Sequence, residues 1–273
     1  MSDFSIAFIG AGNMAGSIIG GMLAAGVSAD RFSASDPATG NLDALRERGL
    51  TNLGSDNKTA VTNADVVVLA VKPQVLAEVC ADIAPVVNAD KLVISIAAGV
   101  EGEAIDRWLG GSAAIVRCMP NTPALVGEGA SALCPIGDVS DQHRSWAEEI
   151  LGAVGVARWV GREHDLHAVT AVSGSGPAYF FQFMEAMIAE AERMGLDAET
   201  ARTLCAQTCI GAGHMVAAGD VDAGELRRRV CSPGGTTERA VAAFSAGDLA
   251  GLVSTAMEDC FKRSEELAKE LSR

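Results

Sequence analysis

The amino-acid sequence predicts an α/β protein, with a parallel β-sheet covered on both faces in its first part and an all-α region in its second. Two observations carry this prediction. Short runs of Val, Ile and Leu alternate with helix-length segments up to about Gly161, which is typical of buried parallel strands. Beyond that point such runs stop and apolar residues recur at helical spacing. We therefore predict two domains, at residues 1–162 and 163–273.

The predicted strands and helices follow one another through the first domain. Five apolar runs have the length of a strand: Ile6–Ile9, Phe32–Ser35, Val66–Val71, Leu92–Ile96 and Ile115–Cys118. The segments between them are predicted as helices, at Met14–Ala25, Leu42–Arg48, Val75–Val87 and Glu101–Leu109. Two weaker runs, Ser131–Cys134 and Val156–Val160, are predicted to add strands at an edge of the sheet.

The composition narrows the class of protein. The chain has 273 residues, and 21 Lys and Arg against 35 Asp and Glu leave a formal net charge of −14. This excess of negative charge argues against nucleic acid and anionic membrane surfaces as partners, because both would be repelled. The seven Cys are scattered without framework spacing, which is typical of reduced thiols in a cytoplasmic enzyme.

Two features could indicate other functions. The segment from Phe4 to Ala29 carries no charged residue and is long enough to span a membrane. It divides, however, into a strand, a glycine turn and a helix, so we predict no membrane span. Cys205, Cys209 and His214 could hold a metal ion, but small apolar core residues explain the cysteines better, and we predict no metal site.

The most informative local pattern is Gly10-Ala-Gly-Asn-Met-Ala15, directly after the first predicted strand. It matches the G-x-G-x-x-A variant of the dinucleotide fingerprint of Rossmann domains. In that fingerprint Gly10 permits the sharp turn, Gly12 lets the backbone approach a pyrophosphate, and Ala15 allows close packing of helix on strand. The N–H groups at the start of the helix would then bind the phosphates.

Further candidate cofactor contacts lie where predicted strands end, because ligands of open parallel sheets bind beyond the carboxyl ends of the strands. Val71-Lys72-Pro73 and Ala97-Ala98-Gly99 are two such positions. After the second strand, Asp36 could accept a hydrogen bond from a free ribose 2′-hydroxyl, whereas Ser35 could donate one to a 2′-phosphate. The choice between NADH and NADPH stays open at this point. Arg117–Pro123 is either a rigid wall beside a nicotinamide or a structural turn.

The predicted helical domain contains one glycine turn of chemical interest, Ser232-Pro-Gly-Gly-Thr-Thr237. It is either an ordinary helix cap or a nest of backbone N–H groups and hydroxyls that holds a carboxylate. Such a nest would bind an anion without a basic surface. Small residues dominate Ala198–Ala218, and so small a core favours a second copy of the chain, so we predict a homodimer or a larger homo-oligomer.

Taken together, these patterns resemble pyrroline-5-carboxylate reductases. The resemblance rests on five motifs in order: GAGNMA, AVKP at Ala70–Pro73, RCMPNTP at Arg117–Pro123, SGSGPAY at Ser173–Tyr179 and CSPGGTT at Cys231–Thr237. It extends from Phe4 to about Leu267. It implies a Rossmann domain followed by a helical domain that intertwines with a partner into dimers, which often assemble further.

The resemblance also implies an activity and a set of residues. The activity is the reduction of 1-pyrroline-5-carboxylate to L-proline by hydride transfer from NAD(P)H, with Thr237 as the catalytic residue that donates a hydrogen bond to the ring nitrogen. The implied substrate-binding residues are Glu163, Ser232, Gly234, Gly235, Thr236 and Thr237. The implied cofactor-binding residues are Gly10, Ala11, Gly12, Asn13, Met14, Ala15, Ser35, Asn57, Ala70, Val71, Lys72, Pro73, Ala98 and Gly99.

Two positions depart from the family pattern. The resemblance makes NADPH the expected cofactor, but Pro37 stands where many members have an Arg, so NADH is the alternative. Asp220 replaces a Glu of some members, and its role is left open.

Two other functions were weighed. A β-hydroxyacid dehydrogenase would carry a catalytic Lys on a glycine-bearing helix, where this chain continues from Gly213 with His214 and Met215. A regulator that only senses a dinucleotide would have no need of the Ser232–Thr237 loop.

Overall fold

A computed structural model describes residues 3–272 of the chain. They form two compact units: one contains the residues up to Pro177 together with those from Cys260 onward, and the other is Ala178–Asp259. The division into domains at residues 1–162 and 163–273 stays a prediction.

The first unit is built on a single mixed sheet. Within residues 3–272 it has eight strands: β1 (Ile6–Ile9), β2 (Phe32–Ser35), β3 (Asn52–Gly54), β4 (Val66–Leu69), β5 (Leu92–Ser95), β6 (Ala114–Met119), β7 (Gly129–Ile136) and β8 (Gly155–Trp159). Their order is β3-β2-β1-β4-β5-β6-β7-β8. All neighbours run parallel except β6 and β7, which are antiparallel. The predicted parallel sheet is thereby confirmed, with one antiparallel pair added.

Helices cover both faces of this sheet, as the alternation along β1 shows. Ile6 and Phe8 pack into one apolar cluster with Ile18 of the first helix, whereas Ala7 and Ile9 pack into a second cluster on the opposite face. The helices are α1 (Asn13–Ala24), α2 (Thr39–Arg46), α3 (Asn57–Thr62), α4 (Leu76–Ile83), α5 (Gly102–Leu109), α6 (Asp141–Gly152) and α7 (Asp165–Val169). A strand buried on both faces needs apolar side chains at every position, which explains its continuous apolar run.

Of the two predicted edge strands, one is confirmed, because β8 contains most of Val156–Val160 and lies at an end of the sheet. The other prediction was wrong: Ser131–Cys134 lies within β7, which has β6 on one side and β8 on the other, so it is not at an edge. The opposite edge is β3, a three-residue strand that the sequence analysis missed. Asn52 and Gly54 are exposed and only Leu53 is half-buried, so no apolar run marks this strand.

The second unit is entirely helical. It contains α9 (Ala198–Ala218), α10 (Ala223–Val230) and α11 (Thr236–Ala246), with most of α8 (Gly176–Arg193) and the first part of α12 (Leu249–Leu271). Ala201 and Cys205 are its buried apolar residues, while many large apolar side chains are exposed in this single chain. These include Phe180, Phe181, Phe183, Leu204, Ile210, Met215, Val230 and Leu252. So much exposed apolar surface is typical of a region that binds another protein chain.

The described helices were also compared with membrane spans. Among residues 3–272, no single helix is long and apolar enough to cross a bilayer, although the pair Thr236–Ala246 and Leu249–Leu271, bent by 52°, meets the criterion on length and composition alone.

Hydrogen bonds anchor the end of α12 to the first unit. Nδ1 of His167 lies 2.8 Å from Oγ of Ser264. The backbone N–H of Glu101 donates to Oγ of Ser272 over 2.9 Å, and Nη2 of Arg107 donates to the Ser272 carbonyl over 3.0 Å. The last turns of the chain are therefore a structural part of the sheet-bearing unit.

We expect acid to weaken this anchor. Burial, together with the positive charges of His164 and Arg117, lowers the pKa of His167, while the carboxylates of Glu265 and Glu163 oppose that shift. Because the pKa of this histidine is lower in the folded protein than in the unfolded chain, the unfolded chain takes up the proton first as the pH falls. Stability is therefore lost as the pH falls below about 6.5, through the window between the two pKa values.

Scanning calorimetry from roughly pH 7.5 to pH 5 tests this expectation. The Tm of the wild type should fall with pH, and it should fall less in His167→Gln. His214→Gln, at an exposed histidine of α9, is the control and should follow the wild type. A His167→Gln variant with the wild-type slope would contradict the assignment.

Candidate active site

The glycine turn after β1 has the geometry that its sequence predicts. Gly10 adopts φ +93°, and a Cβ on it would lie 2.6 Å from the carbonyl oxygen of Ala70, so only glycine fits. Gly12 precedes α1 as its N-cap, has no atom within 4 Å of the position of a Cβ, and gives α1 no side-chain cap. The first N–H groups of α1 are thus left for a ligand, and an open approach over Gly12 leads to them.

A cavity of about 310 Å³ lies beyond the carboxyl ends of β4, β5 and β6. Predicted cofactor residues contribute Met14, Ala70, Val71, Lys72 and Ala98 to its lining. The sequence analysis did not assign the remaining lining residues to the cofactor site: Ile96, Met119, Pro120, Asn121, Thr122 and Gly174. The motif Arg117–Pro123 was the signal that could have found four of them.

Asn121 holds one wall of this cavity in place. Its Nδ2 donates to the carbonyl of Ser173 over 3.0 Å, and its Oδ1 accepts from the N–H of Ala130 over 2.9 Å. The side chain is buried, so both hydrogen bonds are shielded from water. The wall is therefore rigid, as one interpretation of Arg117–Pro123 requires.

The structure fits a reduced dinucleotide at this place. The glycine turn offers unpaired N–H groups to a pyrophosphate, and the cavity beyond the strand ends has room for a ring and its ribose. Gly99 and Pro73 flank the same strand ends without lining the cavity, and their roles stay predictions.

Polar side chains at the end of β2 and on helices α3 and α4 are joined by hydrogen bonds. Oγ of Ser35 donates to Oδ1 of Asn57 over 2.7 Å, and Nδ2 of Asn57 donates to Asp82 over 3.1 Å. Asp82 in turn pairs with Lys58 over 2.8 Å, and the hydrogen bond from Lys58 lowers the pKa of the Asp82 carboxyl. Ser35 and Asn57 are thus adjacent, and their contacts with a cofactor stay predictions.

Glu163, predicted to line the substrate site, makes two hydrogen bonds within the first unit. Its Oε1 accepts from the N–H of Gly102 over 2.6 Å and from Nη1 of Arg117 over 2.8 Å. Arg117 is only 6 % exposed, so the carboxylate neutralises a buried guanidinium as well as binding the first turn of α5. The sequence analysis missed this pair because the two residues are far apart in the chain.

The loop Ser232–Thr237 forms the start of α11 in the second unit. Gly234 adopts φ +70°, and the N–H of Gly235 donates to the Ser232 carbonyl over 2.9 Å, which closes a tight turn. Gly235 is the N-cap of α11 and provides no side-chain cap. Oε2 of Glu238 accepts from the N–H of Gly234 over 2.7 Å and so steadies the turn. The N–H groups of Thr236 and Thr237 are then placed to bind an anion.

The remaining titratable groups show no further site. Within residues 3–272, no group of three or more His, Cys, Asp or Glu side chains could hold a metal ion. Burial raises the pKa of the Cys80 and Cys118 thiols to about 12, so both stay protonated and unreactive at neutral pH.

Family models match both parts of the chain. The model described as pyrroline-5-carboxylate reductase dimerisation matches residues 163–267, and the one described as NADP oxidoreductase, coenzyme F420-dependent, matches residues 5–99. A pyrroline-5-carboxylate reductase of Pseudomonas aeruginosa is 47 % identical over 273 residues and covers 100 % of both chains. This chain belongs to the pyrroline-5-carboxylate reductase family. The resemblance drawn from the five motifs is confirmed, and with it the α/β fold class followed by a helical dimerisation region.

Solved structures agree with this membership. A pyrroline-5-carboxylate reductase from Coxiella burnetii has a TM-score of 0.93 and 40 % identity, covering 98 % of this chain and 99 % of that one. The Plasmodium falciparum pyrroline carboxylate reductase, solved with NADP bound, has a TM-score of 0.87 and 28 % identity, covering 98 % and 99 %. The enzyme class is therefore an NAD(P)H-dependent reductase, and neither of the two other functions weighed from the sequence is needed.

Substitution of Gly10 by Ala should disrupt cofactor binding. The added Cβ would collide with the Ala70 carbonyl and force the turn away from α1. We expect the free energy of unfolding to fall by about 2–4 kcal/mol and the Kd for the reduced dinucleotide to rise at least about tenfold.

Gly26→Ala is the matched control, because Gly26 adopts φ +94° with no atom near its Cβ position. It carries the same backbone strain without the collision, so it should lose about 1–2 kcal/mol of stability and keep the wild-type Kd. Thermal unfolding and titration of nicotinamide fluorescence measure the two effects. Equal Kd values for the two variants would contradict the prediction.

Substitution of Glu163 by Gln should destabilise the first unit. Arg117 would keep its buried charge and lose its anionic partner, which we expect to cost about 1–3 kcal/mol of folding free energy. Glu190→Gln removes the carboxylate of an exposed pair with Arg193 and should leave the Tm nearly unchanged. Equal Tm values for both variants would show that the buried pair contributes nothing.

Proposed function

We propose that this protein reduces 1-pyrroline-5-carboxylate to L-proline with NAD(P)H, the last step of proline biosynthesis. The observation that carries the proposal is the start of α11, where a glycine turn precedes two threonines whose backbone N–H groups have no side-chain cap. A carboxylate-bearing substrate satisfies those groups. Membership of the reductase family over the full length of the chain supports the same activity.

NAD(P)H, when bound, supplies the hydride that is transferred to the imine carbon. The protein itself binds the cofactor and the substrate, orients them toward each other and excludes water. The glycine turn at Gly10–Ala15 holds the pyrophosphate through backbone N–H groups, and the cavity walls at Ala70–Lys72 and Met119–Thr122 enclose the reactive end. Asn13, Ala98, Gly99 and Pro73 complete the proposed cofactor contacts.

The substrate is bound by the loop at the start of α11. Its carboxylate accepts hydrogen bonds from the backbone of Gly234–Thr237, with Ser232 as a further proposed contact. The role of Glu163 toward the substrate is proposed from the family resemblance alone. Thr237 donates through its hydroxyl to the ring nitrogen as that atom becomes an amine. A protonated imine already accepts hydride readily, so positioning and a dry pocket supply most of the rate enhancement.

This binding mode suits the charge of the protein. Both ligands are anions, whereas the chain carries a formal charge of −14. Backbone N–H groups at two helix starts attract anions locally, over distances shorter than the screening length of the solution. The overall negative charge then opposes binding only weakly.

The assembly is a homo-oligomer, since the helical region belongs to a dimerisation family and exposes large apolar side chains. We propose a homodimer as its basic unit, with assembly into larger oligomers as an extension of it. A cytoplasmic location and the absence of nucleic-acid and membrane partners are part of the same proposal.

The proposed activity is tested by following the oxidation of NADH and of NADPH in the presence of pyrroline-5-carboxylate, with proline measured as product. Turnover should depend on the substrate with at least one of the two cofactors. A purified, folded protein without such turnover would overturn the proposal.

Thr237→Ala should lose about 10- to 1,000-fold in kcat/KM, because one hydrogen bond to the developing amine is removed. Thr237→Ser keeps the hydroxyl and should retain most of the wild-type value. A Thr237→Ala variant with wild-type kcat/KM would remove this side chain from the mechanism. Equal losses in both variants would assign the effect to the methyl group instead.

A further inference from the structure

The residues at the carboxyl end of β2 bear on whether the first unit binds an adenosine ribose with a free 2′-hydroxyl, as in NADH, or with a 2′-phosphate, as in NADPH. In Rossmann domains this strand end lies beside the ribose 2′ position, and an acidic residue about 20 residues beyond the fingerprint accepts from the 2′-hydroxyl. Two polar residues stand there in this chain, Ser35 and Asp36. Their hydrogen bonds show which of them can reach a cofactor.

Ser35 is not available to a 2′-phosphate in this structure. The side chain is 1 % exposed, and its hydroxyl donates to Asn57. Asn57 gives its own amide hydrogen to Asp82. A phosphate could reach this hydroxyl only after the hydrogen bond to Asn57 breaks and the backbone around β2 opens.

Asp36 is the group that faces the glycine turn. Its Oδ2 accepts from the N–H of Ala11 over 2.8 Å and from Nδ2 of Asn41 over 3.1 Å, and its Oδ1 accepts from the N–H of Ala38 over 2.7 Å. A carboxylate has about four lone-pair positions, so three donors leave one acceptor position free. The carboxylate is therefore fixed beside the dinucleotide turn with one position left for a hydroxyl.

The cations nearest to Asp36 in the chain are engaged with other groups, beginning with Arg31, which pairs with Asp3. Lys58 pairs with Asp82 over 2.8 Å, Arg46 pairs with Asp43, and Nη1 of Arg48 donates to the carbonyl of Gly16 over 2.5 Å. Pro37 and Ala38, which follow Asp36 directly, carry no charge. None of these cations forms an ion pair with the carboxylate of Asp36.

We infer that Asp36 makes this enzyme select NADH over NADPH. Its free acceptor position takes the ribose 2′-hydroxyl of NADH, and its charge repels the 2′-phosphate of NADPH. This preference reverses the one expected from the family resemblance, and it follows from the fixed carboxylate together with the buried hydroxyl of Ser35. The inference rests on the proposed function only in that the glycine turn binds a dinucleotide.

The test is the ratio of the two dissociation constants, measured on the full-length protein by the fluorescence of bound NADH and NADPH without substrate. The wild type should bind NADH at least about tenfold more tightly than NADPH, a difference expected from one unscreened charge contact. In Asp36→Ser and Asp36→Asn this ratio should fall to about one or invert. Loss of the hydrogen bond to Ala11 weakens the binding of NADH and of NADPH alike, so this effect cancels in the ratio of the two dissociation constants.

Asp43→Asn is the matched control, since it removes a carboxylate from the neighbouring helix α2, where Asp43 pairs with Arg46. It should keep the wild-type ratio. Raising the salt concentration from about 0.05 M to about 0.5 M should narrow the wild-type ratio, because salt screens the repulsion of the phosphate. This second measurement needs no variant and applies even where the Asp36 variants do not fold.

Three results would overturn the inference: tighter binding of NADPH by the wild type, an unchanged ratio in Asp36→Ser and Asp36→Asn, or a wild-type ratio that salt does not alter. None of them bears on the substrate. Conversely, selective NADH binding without turnover of pyrroline-5-carboxylate would overturn the proposed function and leave the inference intact.

Discussion

The proposed chemistry of this protein depends on one interaction, the binding of anions by backbone N–H groups at the start of a helix. They occur at α1, after Gly12, and at α11, after Gly235, and neither helix has a side-chain cap. Elsewhere in the chain Asp56, Ser140, Asp197 and Asp222 cap helices through their side chains. At α1 and α11 the N-cap residue is glycine, which has no side chain to bond the first N–H groups, and we propose that anions bind there.

Keeping these groups in position requires a rigid frame around them. The first start is held by Gly10, whose backbone touches that of Ala70, and by the carboxylate of Asp36 on Ala11. The second is steadied by Glu238 on Gly234. In both cases an acidic side chain binds the backbone of the turn itself. The excess of acidic residues, which first served to exclude polyanionic partners, thus also includes groups that shape the anion sites.

The helical region buries little apolar surface within a single chain. Its buried apolar residues are Ala201 and Cys205, and few of its side chains are buried in the single chain. A unit of this composition gains stability when a second copy covers its apolar faces. Membership of a dimerisation family and the exposed phenylalanines of α8 lead to the same conclusion. Assembly is therefore expected to stabilise this region.

The sequence by itself determined whatever depends on residues close together in the chain. Continuous apolar runs predict the buried strands at Ile6–Ile9 and Val66–Leu69. The G-x-G-x-x-A spacing predicts the glycine turn at Gly10. The order of five motifs determined the family. The sequence analysis missed strand β3 because a three-residue strand at a sheet edge, with Leu53 as its single apolar side chain, needs only backbone pairing and shows no apolar run.

Only the tertiary structure decided which distant residues meet. Two contacts join positions that are remote in sequence: the pairing of Glu163 with Arg117 and the hydrogen bond from Ser35 to Asn57. Their local sequence is compatible with several partners, and packing selects one. The same holds for Asp36: its residue type allowed a ribose contact, but the three donors around it fixed where its charge lies.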